Sequence, residues 1–144
     1  MLLFPWLEVS GTRLGYHGPK ATFELNLIPK KSLFEILCDN LKDVKNMYGV
    51  DVPWYIMTSE ENYHDTVRFF ENKNYFEYSK ENVQFFKQDK LPILDLDGKV
   101  ILENKWQIKE AANGNGDVFR ALKQSGMLDD MKRRGIKWVS IRRN

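Results

Sequence analysis

The chain has one cysteine and two histidines among its 144 residues, so few thiol and imidazole groups are available for cross-linking, metal binding or acid–base chemistry. Cys38 has no second cysteine to pair with, which excludes an internal disulfide and favours a reducing compartment. His17 and His64 lie far apart in the sequence, and we predict neither a metal site nor a catalytic base from them.

The sequence also lacks a long hydrophobic run and a large excess of one charge. The opening MLLFPWLEV is apolar but short, contains Pro5 and Glu8, and has no basic segment ahead of it, so we expect neither a signal peptide nor a membrane span. The net charge is +2, from 22 basic and 20 acidic residues, and does not call for a nucleic-acid or membrane partner. These features predict a cytoplasmic protein.

The order of apolar segments predicts a single α/β domain over residues 1–144. Apolar residues recur at helical spacing from Ser32, where Ser32 and Glu35 form a capping box, up to Gly49. A strand WYIM follows at 54–57, then a second helix that a Thr58 and Glu61 box would start.

The second half of the chain continues this alternation. VQFFKQ reads as a strand, and LPILDLDGKVILE reads as a hairpin that turns at Asp97-Gly98. A helical region over 118–134, interrupted near Gly126, ends at Gly135, and IKWVSI then reads as a last strand. We therefore expect a mostly parallel sheet with helices on both faces and ligands outside the carboxyl ends of the strands.

The decapeptide GTRLGYHGPK at residues 11–20 follows the first predicted strand. Gly11 and Gly15 allow a tight turn and close approach to a ligand, while Arg13 and Lys20 supply two cations. The spacing is neither that of a P-loop, since no GKS or GKT occurs, nor that of a dinucleotide fingerprint. A glycine-rich cationic loop of this kind suits a triphosphate.

Four segments together carry a family resemblance that covers nearly the whole chain from Gly11 to Ile141. They are GTRLGYHGPK, PWYIMTSE at 53–60, FFKQDKLPILDLDGK at 85–99 and AANGNGDVFRALK at 111–123. The chain resembles the eukaryotic-type UDP-N-acetylhexosamine pyrophosphorylases, whose phosphate loop has the form GGxGTRLGxxxPK. The resemblance implies a Rossmann-like nucleotide-diphospho-sugar transferase domain, truncated and C-terminally incomplete, that binds UTP.

The resemblance also implies roles for particular residues. Gly11 and Thr12 would contact the nucleotide, Arg13 would grip the departing phosphates, and Lys20 would lie near the α-phosphate.

Farther along the chain, the amide of Gln88 would pair with an edge of uracil. The backbone of Gly114 would face uracil and Asn115 would face the sugar. The expected partners are UTP or a UDP-sugar and a sugar 1-phosphate, with Mg²⁺ as cofactor, although the family's metal-binding aspartate has no counterpart in this sequence.

Several positions depart from the family pattern. Glu8 and Val9 stand where the family has two glycines, Ala112 replaces a proline, and Asp117 replaces a glycine and would place an extra negative charge near an anionic ligand. Two hypotheses follow. The chain is the UTP-binding part of a uridylyltransferase, or it is an inactive fragment or nucleotide-binding module that lacks the metal and sugar sites.

A third hypothesis is binding to nucleic acid or a protein partner through a basic carboxyl end. We give it little weight, because cations at a helix C-terminus and a frayed chain end explain these residues as well. They are Lys132, Arg133, Arg134, Lys137, Arg142 and Arg143.

Overall fold

The structure of the chain, a computed structural model, describes residues 6–7, 20–25, 29–112 and 115–141. Over these ranges helices alternate with strands, as predicted for an α/β fold. The strands are β1 (Trp6–Leu7), β2 (Glu24–Leu25), β3 (Lys31–Ser32), β4 (Trp54–Thr58), β5 (Val83–Lys87), β6 (Lys90–Pro92), β7 (Leu102–Asn104), β8 (Gln107–Ile108) and β9 (Glu110–Ala112). The helices are α1 (Leu33–Tyr48), α2 (Glu60–Asn72), α3 (Val118–Gln124) and α4 (Met127–Arg133).

The central sheet has three parallel strands in the order β1-β4-β5. β4 pairs with β5 from Trp54 opposite Val83 to Thr58 opposite Lys87, and every residue of β4 is buried. A strand buried on both faces is expected in a parallel sheet covered by helices, which explains the continuous apolar run WYIM. The predicted strands at 54–57 and in VQFFKQ are confirmed.

Helices pack on both faces of β4. Side chains along a strand point alternately to opposite faces. Trp54 and Ile56 join the core cluster that contains residues of α1 and α2, whereas Tyr55 and Met57 join the cluster that contains residues of α3 and α4. The other described strand pairs, β2-β3, β6-β9 and β7-β8, are antiparallel, so the predicted parallel arrangement holds for the three central strands.

The capping box predicted for α1 is confirmed, and the one predicted for α2 is wrong. Ser32 Oγ accepts the Glu35 N–H at 3.2 Å, and Glu35 Oε2 accepts the Ser32 N–H at 2.6 Å. At α2 the N-cap is Ser59, whose hydroxyl accepts the Asn62 N–H at 3.2 Å. Thr58 cannot take that place because it is still paired in β4, opposite Lys87.

Four consecutive residues after α2, Asn74 to Glu77, have left-handed backbone angles, with φ from 47° to 62°. None of them is glycine, so this turn is strained. Tyr75 and Phe76 are buried in the aromatic core, where they pack against Phe70. Burial of these two rings holds the turn in place.

Residues 90–112 form a meander that leaves the central sheet after β5 and returns before α3. Its base is the pairing of β6 with β9, and Leu94 pairs with Val100 around the predicted Asp97-Gly98 turn, where Gly98 has φ 79°. That turn is confirmed. The meander exposes large apolar side chains, including a fully exposed Leu96.

The carboxyl-terminal part confirms the helix breaks but not the last strand. Gly126 separates α3 from α4 with φ 76°, and Gly135 ends the helical region with φ 69°. Residues 136–141 have no regular secondary structure. Trp138 is 72% exposed, and the described residues provide no neighbouring strand with which this segment pairs.

Candidate functional site

Gln88 lies immediately after the carboxyl end of β5. Its backbone N–H donates to the Thr58 carbonyl at 2.9 Å, which holds the residue beside the end of β4. Its side chain is buried, and Oε1 has no hydrogen-bond partner among the described residues. Buried polar atoms are nearly always paired in folded proteins, so an amide oxygen of this kind marks a position where a ligand group would be accommodated.

The segment Asn115–Asp117 is linked to the loop that holds Gln88. Gly114 is outside the described residues, and Asn115 starts a short 3-10 helix, Asn115–Asp117, that leads into α3. Asp117 Oδ2 accepts the Asp89 backbone N–H at 3.1 Å, across a sequence separation of 28 residues. The structure therefore brings two predicted site segments, the one at Gln88 and the one at Asn115, to the same edge of the sheet.

The carboxylate of Asp117 is paired with a cation. Its side chain is only 2% exposed, and its Oδ1 lies 2.9 Å from Nε of Arg120. Nη2 of the same guanidinium lies 3.2 Å from Asp89 Oδ2. Arg120 thus offsets the negative charge that the sequence analysis expected near an anionic ligand.

The phosphate loop lies mostly outside the described residues, including Gly11, Thr12 and Arg13. Its two ends can be placed. β1 runs parallel to β4 with Leu7 opposite Met57, so the loop leaves β1 at the edge where Gln88 lies. Lys20 begins a 3-10 turn, Lys20–Thr22, whose Ala21 is buried in the cluster that contains α1 residues, while the Lys20 side chain is outside the described part.

The lysines that follow Phe86 at this edge are paired with α2. Lys87 Nζ lies 2.8 Å from Glu60 Oε1 and 4.7 Å from the centre of the Tyr63 ring. Its hydrogen bond lowers the pKa of Glu60 below the ordinary value. Lys90 Nζ lies 3.5 Å from Glu61 Oε1. Since these cations already have acidic partners, they are weak candidates for binding phosphates.

Cys38 and His64, to which the sequence analysis assigned no chemical role, make contacts that are structural. Cys38 is fully buried in α1, and burial raises the pKa of its thiol to about 11, as expected of an inert core cysteine. His64 is exposed and packs edge-on against Tyr63. Within the ranges that the structure describes, no group of three or more His, Cys, Asp or Glu side chains could hold a metal ion.

Three cations of the basic carboxyl end pair with two aspartates of α4. Arg133 and Arg134 both pair with Asp130, and Lys132 lies 3.8 Å from Asp129. These pairs favour the structural interpretation of the cations over nucleic-acid binding. None of the helices among the described residues has the length and apolar content needed to span a bilayer.

A cavity of 630 Å³ lies away from the predicted site, near the amino end of β5. Lys45 at the end of α1, the left-handed turn, and Tyr78 to Lys80 line it. It contains none of the predicted site residues.

Sequence reasoning missed the contacts of Asp117, although an aspartate three residues before an arginine at a helix start is a pattern that could have indicated an ion pair.

Comparison with known proteins gives one consistent family. The family model for UTP–glucose-1-phosphate uridylyltransferase matches residues 9–143. Saccharomyces cerevisiae UDP-N-acetylglucosamine pyrophosphorylase is 40% identical over 133 residues, which is 90% of this chain and 28% of the yeast protein. Arabidopsis thaliana UDP-N-acetylglucosamine diphosphorylase 2 is 39% identical over 140 residues, again 90% of this chain and 28% of the relative.

A solved structure agrees. The uridine diphosphate N-acetylglucosamine pyrophosphorylase of Trypanosoma brucei, crystallised with an inhibitor, superimposes with a TM-score of 0.88 at 34% identity. The match covers 99% of this chain and 31% of that one. The chain thus spans less than a third of the length of each of these three relatives.

Proposed function

Because the chain belongs to the UTP–glucose-1-phosphate uridylyltransferase family, we propose that it forms the UTP-binding part of such an enzyme. Its fold would be the Rossmann-like nucleotide-diphospho-sugar transferase domain. The reaction of the whole protein would join UTP and an N-acetylhexosamine 1-phosphate to give a UDP-N-acetylhexosamine and pyrophosphate. The names of the relatives at 39–40% identity support this choice of sugar class.

In this reaction a phosphate oxygen of the sugar 1-phosphate attacks the α-phosphorus of UTP. The bond from that phosphorus to the oxygen bridging to the β-phosphate breaks, and pyrophosphate leaves with the electron pair. Negative charge builds on the transferring and leaving groups, so positioned cations accelerate the step. Arg13, with its planar fork of donors, would hold the departing phosphates, and Lys20 would neutralise charge near the α-phosphate.

The observation that carries the proposal is the buried amide of Gln88 at the carboxyl edge of the parallel sheet. An amide offers both a donor and an acceptor, which matches the acceptor–donor edge of uracil. Its Oε1 has no partner among the described residues, and Asp89 bonds to the segment that holds Asn115. In the proposed site Gln88 and the backbone of Gly114 would contact uracil, and Asn115 would contact the sugar.

Mg²⁺ is part of the family chemistry but is assigned no ligand here. The described residues contain no group of acidic or imidazole side chains suited to it. No step is therefore assigned to a metal held by this chain. Nucleotide-bound Mg²⁺ would still enter with UTP, so nucleotide binding is to be measured with and without it.

A second candidate function is nucleotide binding without turnover. The chain spans 28% of the length of the yeast relative. Glu8 and Val9, at positions where the family has glycines, would also narrow the pocket. A chain of this kind would hold UTP without transferring its uridylyl group.

Calorimetric titration with UTP, in the presence and absence of Mg²⁺, tests the pocket. We expect Lys20→Ala to weaken UTP binding by about tenfold, because it removes a cation from the phosphates. We expect Gln88→Leu to weaken binding of UTP while inorganic triphosphate binds as before, because only the base contact is lost. Lys105→Ala, at an exposed turn of the meander, is the control that should bind like the wild type.

A coupled pyrophosphate-release assay with N-acetylglucosamine 1-phosphate then separates the two candidates. Turnover supports the enzyme, and UTP binding without turnover supports the module. If Lys20→Ala and Gln88→Leu both bind UTP like the wild type, these residues lie outside the site. If the chain retained RNA and did not bind UTP, this result would favour the nucleic-acid hypothesis instead.

A further inference from the structure

Asp117 connects the two segments that the proposed function places around the base. Oδ2 accepts the Asp89 N–H at 3.1 Å, one residue after Gln88, and Oδ1 lies 2.9 Å from the guanidinium of Arg120. The guanidinium in turn lies 3.2 Å from the Asp89 carboxylate. Two of these contacts join the loop after β5 to the start of α3, and the third, between Asp117 and Arg120, lies within the α3 segment.

The orientation of Asp117 is unusual for its position. Asp117 is the N-cap residue of α3, where an aspartate normally accepts an N–H from the first turn of its own helix. Here the side chain makes no such bond within α3. It reaches across to Asp89, a residue 28 positions earlier in the chain. The carboxylate thus bridges the Asp89 N–H and the Arg120 side chain instead of capping a backbone N–H of its own helix.

The burial of this carboxylate is consistent with a fixed arrangement. With 2% of its side chain exposed, Asp117 would be costly to bury unless both oxygens had partners. Arg120 supplies a positive charge in a planar fork that contacts both aspartates, a geometry that restricts how the two segments move relative to each other. A glycine at position 117, as in the family pattern, would lack every one of these side-chain contacts.

We propose that Asp117 is a positioning residue that holds the Gln88 amide at a fixed distance from the start of α3, so that a uracil base meets Gln88 in one orientation. It touches Asp89 and Arg120 and acts on the base through them. The inference rests on the proposed function, because it requires that Gln88 contacts the base. It goes further by assigning base discrimination to a side chain that the family pattern lacks.

The first experiment uses the full chain without nucleotide. Hydrogen exchange of the Asp89 amide, followed by NMR, reports directly on the bond to Asp117. We expect slow exchange in the wild type and in Asp117→Asn, which keeps an acceptor oxygen, and exchange about tenfold faster in Asp117→Ala. Equal exchange in all three proteins would overturn the proposal, because the connection would then not exist in solution.

The second experiment measures the dissociation constants of UTP and CTP for the same three proteins. Cytosine presents an amino group and a ring nitrogen acceptor where uracil presents a carbonyl and an N–H, so a fixed amide discriminates between them. We expect the preference for UTP to fall about tenfold in Asp117→Ala and to return to within about threefold of wild type in Asp117→Asn. Unfolding midpoints for the three proteins identify a loss of fold, which would weaken the binding of UTP and of CTP to the same extent.

The outcomes separate this inference from the proposed function. A wild-type chain that binds no UTP contradicts the proposed function, and the positioning role falls with it. A wild-type chain that prefers UTP, with the preference unchanged in Asp117→Ala, contradicts the positioning role alone. Loss of the preference in Asp117→Ala with recovery in Asp117→Asn supports both.

Discussion

Asp130 in α4 accepts hydrogen bonds from three side chains. The Tyr55 hydroxyl, on the fully buried tyrosine of β4, donates to Oδ2, and Arg133 donates to Oδ1. Arg134 Nε donates to Oδ2 at 2.8 Å and also reaches the Glu81 carbonyl at 2.9 Å with Nη2. Burial alone would raise the pKa of Asp130, but the bonds from Tyr55 and Arg133 and the charge of Arg134 lower it below the ordinary value.

Asp130→Asn is expected to lower the free energy of unfolding at pH 7 by about 1 to 3 kcal/mol, because hydrogen bonds to a charged group are lost. The native pKa of Asp130 lies below the unfolded one, so its contribution is present above about pH 4 and is lost as the pH falls through the native pKa. The difference between the two proteins should therefore shrink on acidification. Urea unfolding at several pH values between 7 and 3 measures it.

Asp129→Asn is the control for this prediction. Asp129 belongs to the same helix, but its side chain is 82% exposed and its lysine partner is 3.8 Å away. An exposed pair of this kind contributes little, so we expect a change of less than about 0.5 kcal/mol at every pH. If Asp130→Asn behaved like Asp129→Asn, the network at Tyr55 would not stabilise the fold.

Individual site residues were predictable from the sequence only where a motif specified them. The segment around Gln88 could be placed at the end of a strand, because VQFFKQ reads as one. The pair of Tyr55 and Asp130 could not be predicted, because 75 residues separate them and no local pattern links them. The bond between Asp89 and Asp117 could not be predicted either, because 28 residues separate them and no local pattern links them.

At the scale of elements, the left-handed turn at 74–77 is where local preference and tertiary packing conflict. Glu77 is exposed and has φ 62°, a backbone conformation that glycine adopts without steric cost. We expect Glu77→Gly to raise the free energy of unfolding by roughly 0.5 to 1 kcal/mol, the relief of strain exceeding the entropy lost by glycine. Thermal and urea unfolding measure the change.

Arg68→Gly is the comparison variant, and we expect it to lower the free energy of unfolding. Arg68 is exposed in the interior of α2, where glycine costs about 1 kcal/mol relative to a good helix former. Destabilisation by both substitutions would mean that the turn is not strained at Glu77 in solution.

Helix ends were predicted well where side chain and backbone signals agree, as at Ser32, Gly49, Gly126 and Gly135. The start of α2 was misplaced by one residue, because Thr58 and Ser59 both suit an N-cap and only the sheet register decides between them. The left-handed turn was not predictable at all. Its sequence, NYFE, contains no glycine, and burial of Tyr75 and Phe76 imposes the conformation.

For the whole molecule, the main contrast is between the buried central sheet and the meander. Every residue of β4 is buried, whereas Leu96 and Trp106 in the meander are almost entirely exposed. Backbone hydrogen bonds covered by so little side-chain packing open easily. We expect amide hydrogens in residues 93–109 to exchange faster than those of β4 by on the order of 100-fold or more.

Hydrogen exchange followed by mass spectrometry measures this contrast on the intact chain. Peptides from α1, which lies over the first core cluster, give an internal reference that should be protected like β4. Equal protection of the meander and β4 would show that the exposed apolar side chains are covered in solution, for example by a second copy of the chain. A dependence of that protection on protein concentration would identify such self-association.

The alternation of strands and helices could be predicted from the sequence. Helices cover both faces of β4, and that strand is therefore an unbroken apolar run that is easy to recognise. The segment IKWVSI is also rich in apolar residues, but it has no regular structure. A strand requires a neighbour, and the described residues provide none beside 136–141. Composition predicts which segments could join a sheet, and the available partners decide which of them do.

The meander leaves and re-enters the body of the fold at adjacent points, since Lys90 stands opposite Ala112. Removal of residues 93–109 would leave Pro92 opposite Glu110, about one strand spacing apart, roughly 5 Å, a gap that a short turn closes. Residues 93–109 are therefore exchangeable in principle. A fluorescent tag or an affinity peptide grafted at Asp97-Gly98 would report on the central sheet without sharing its packing.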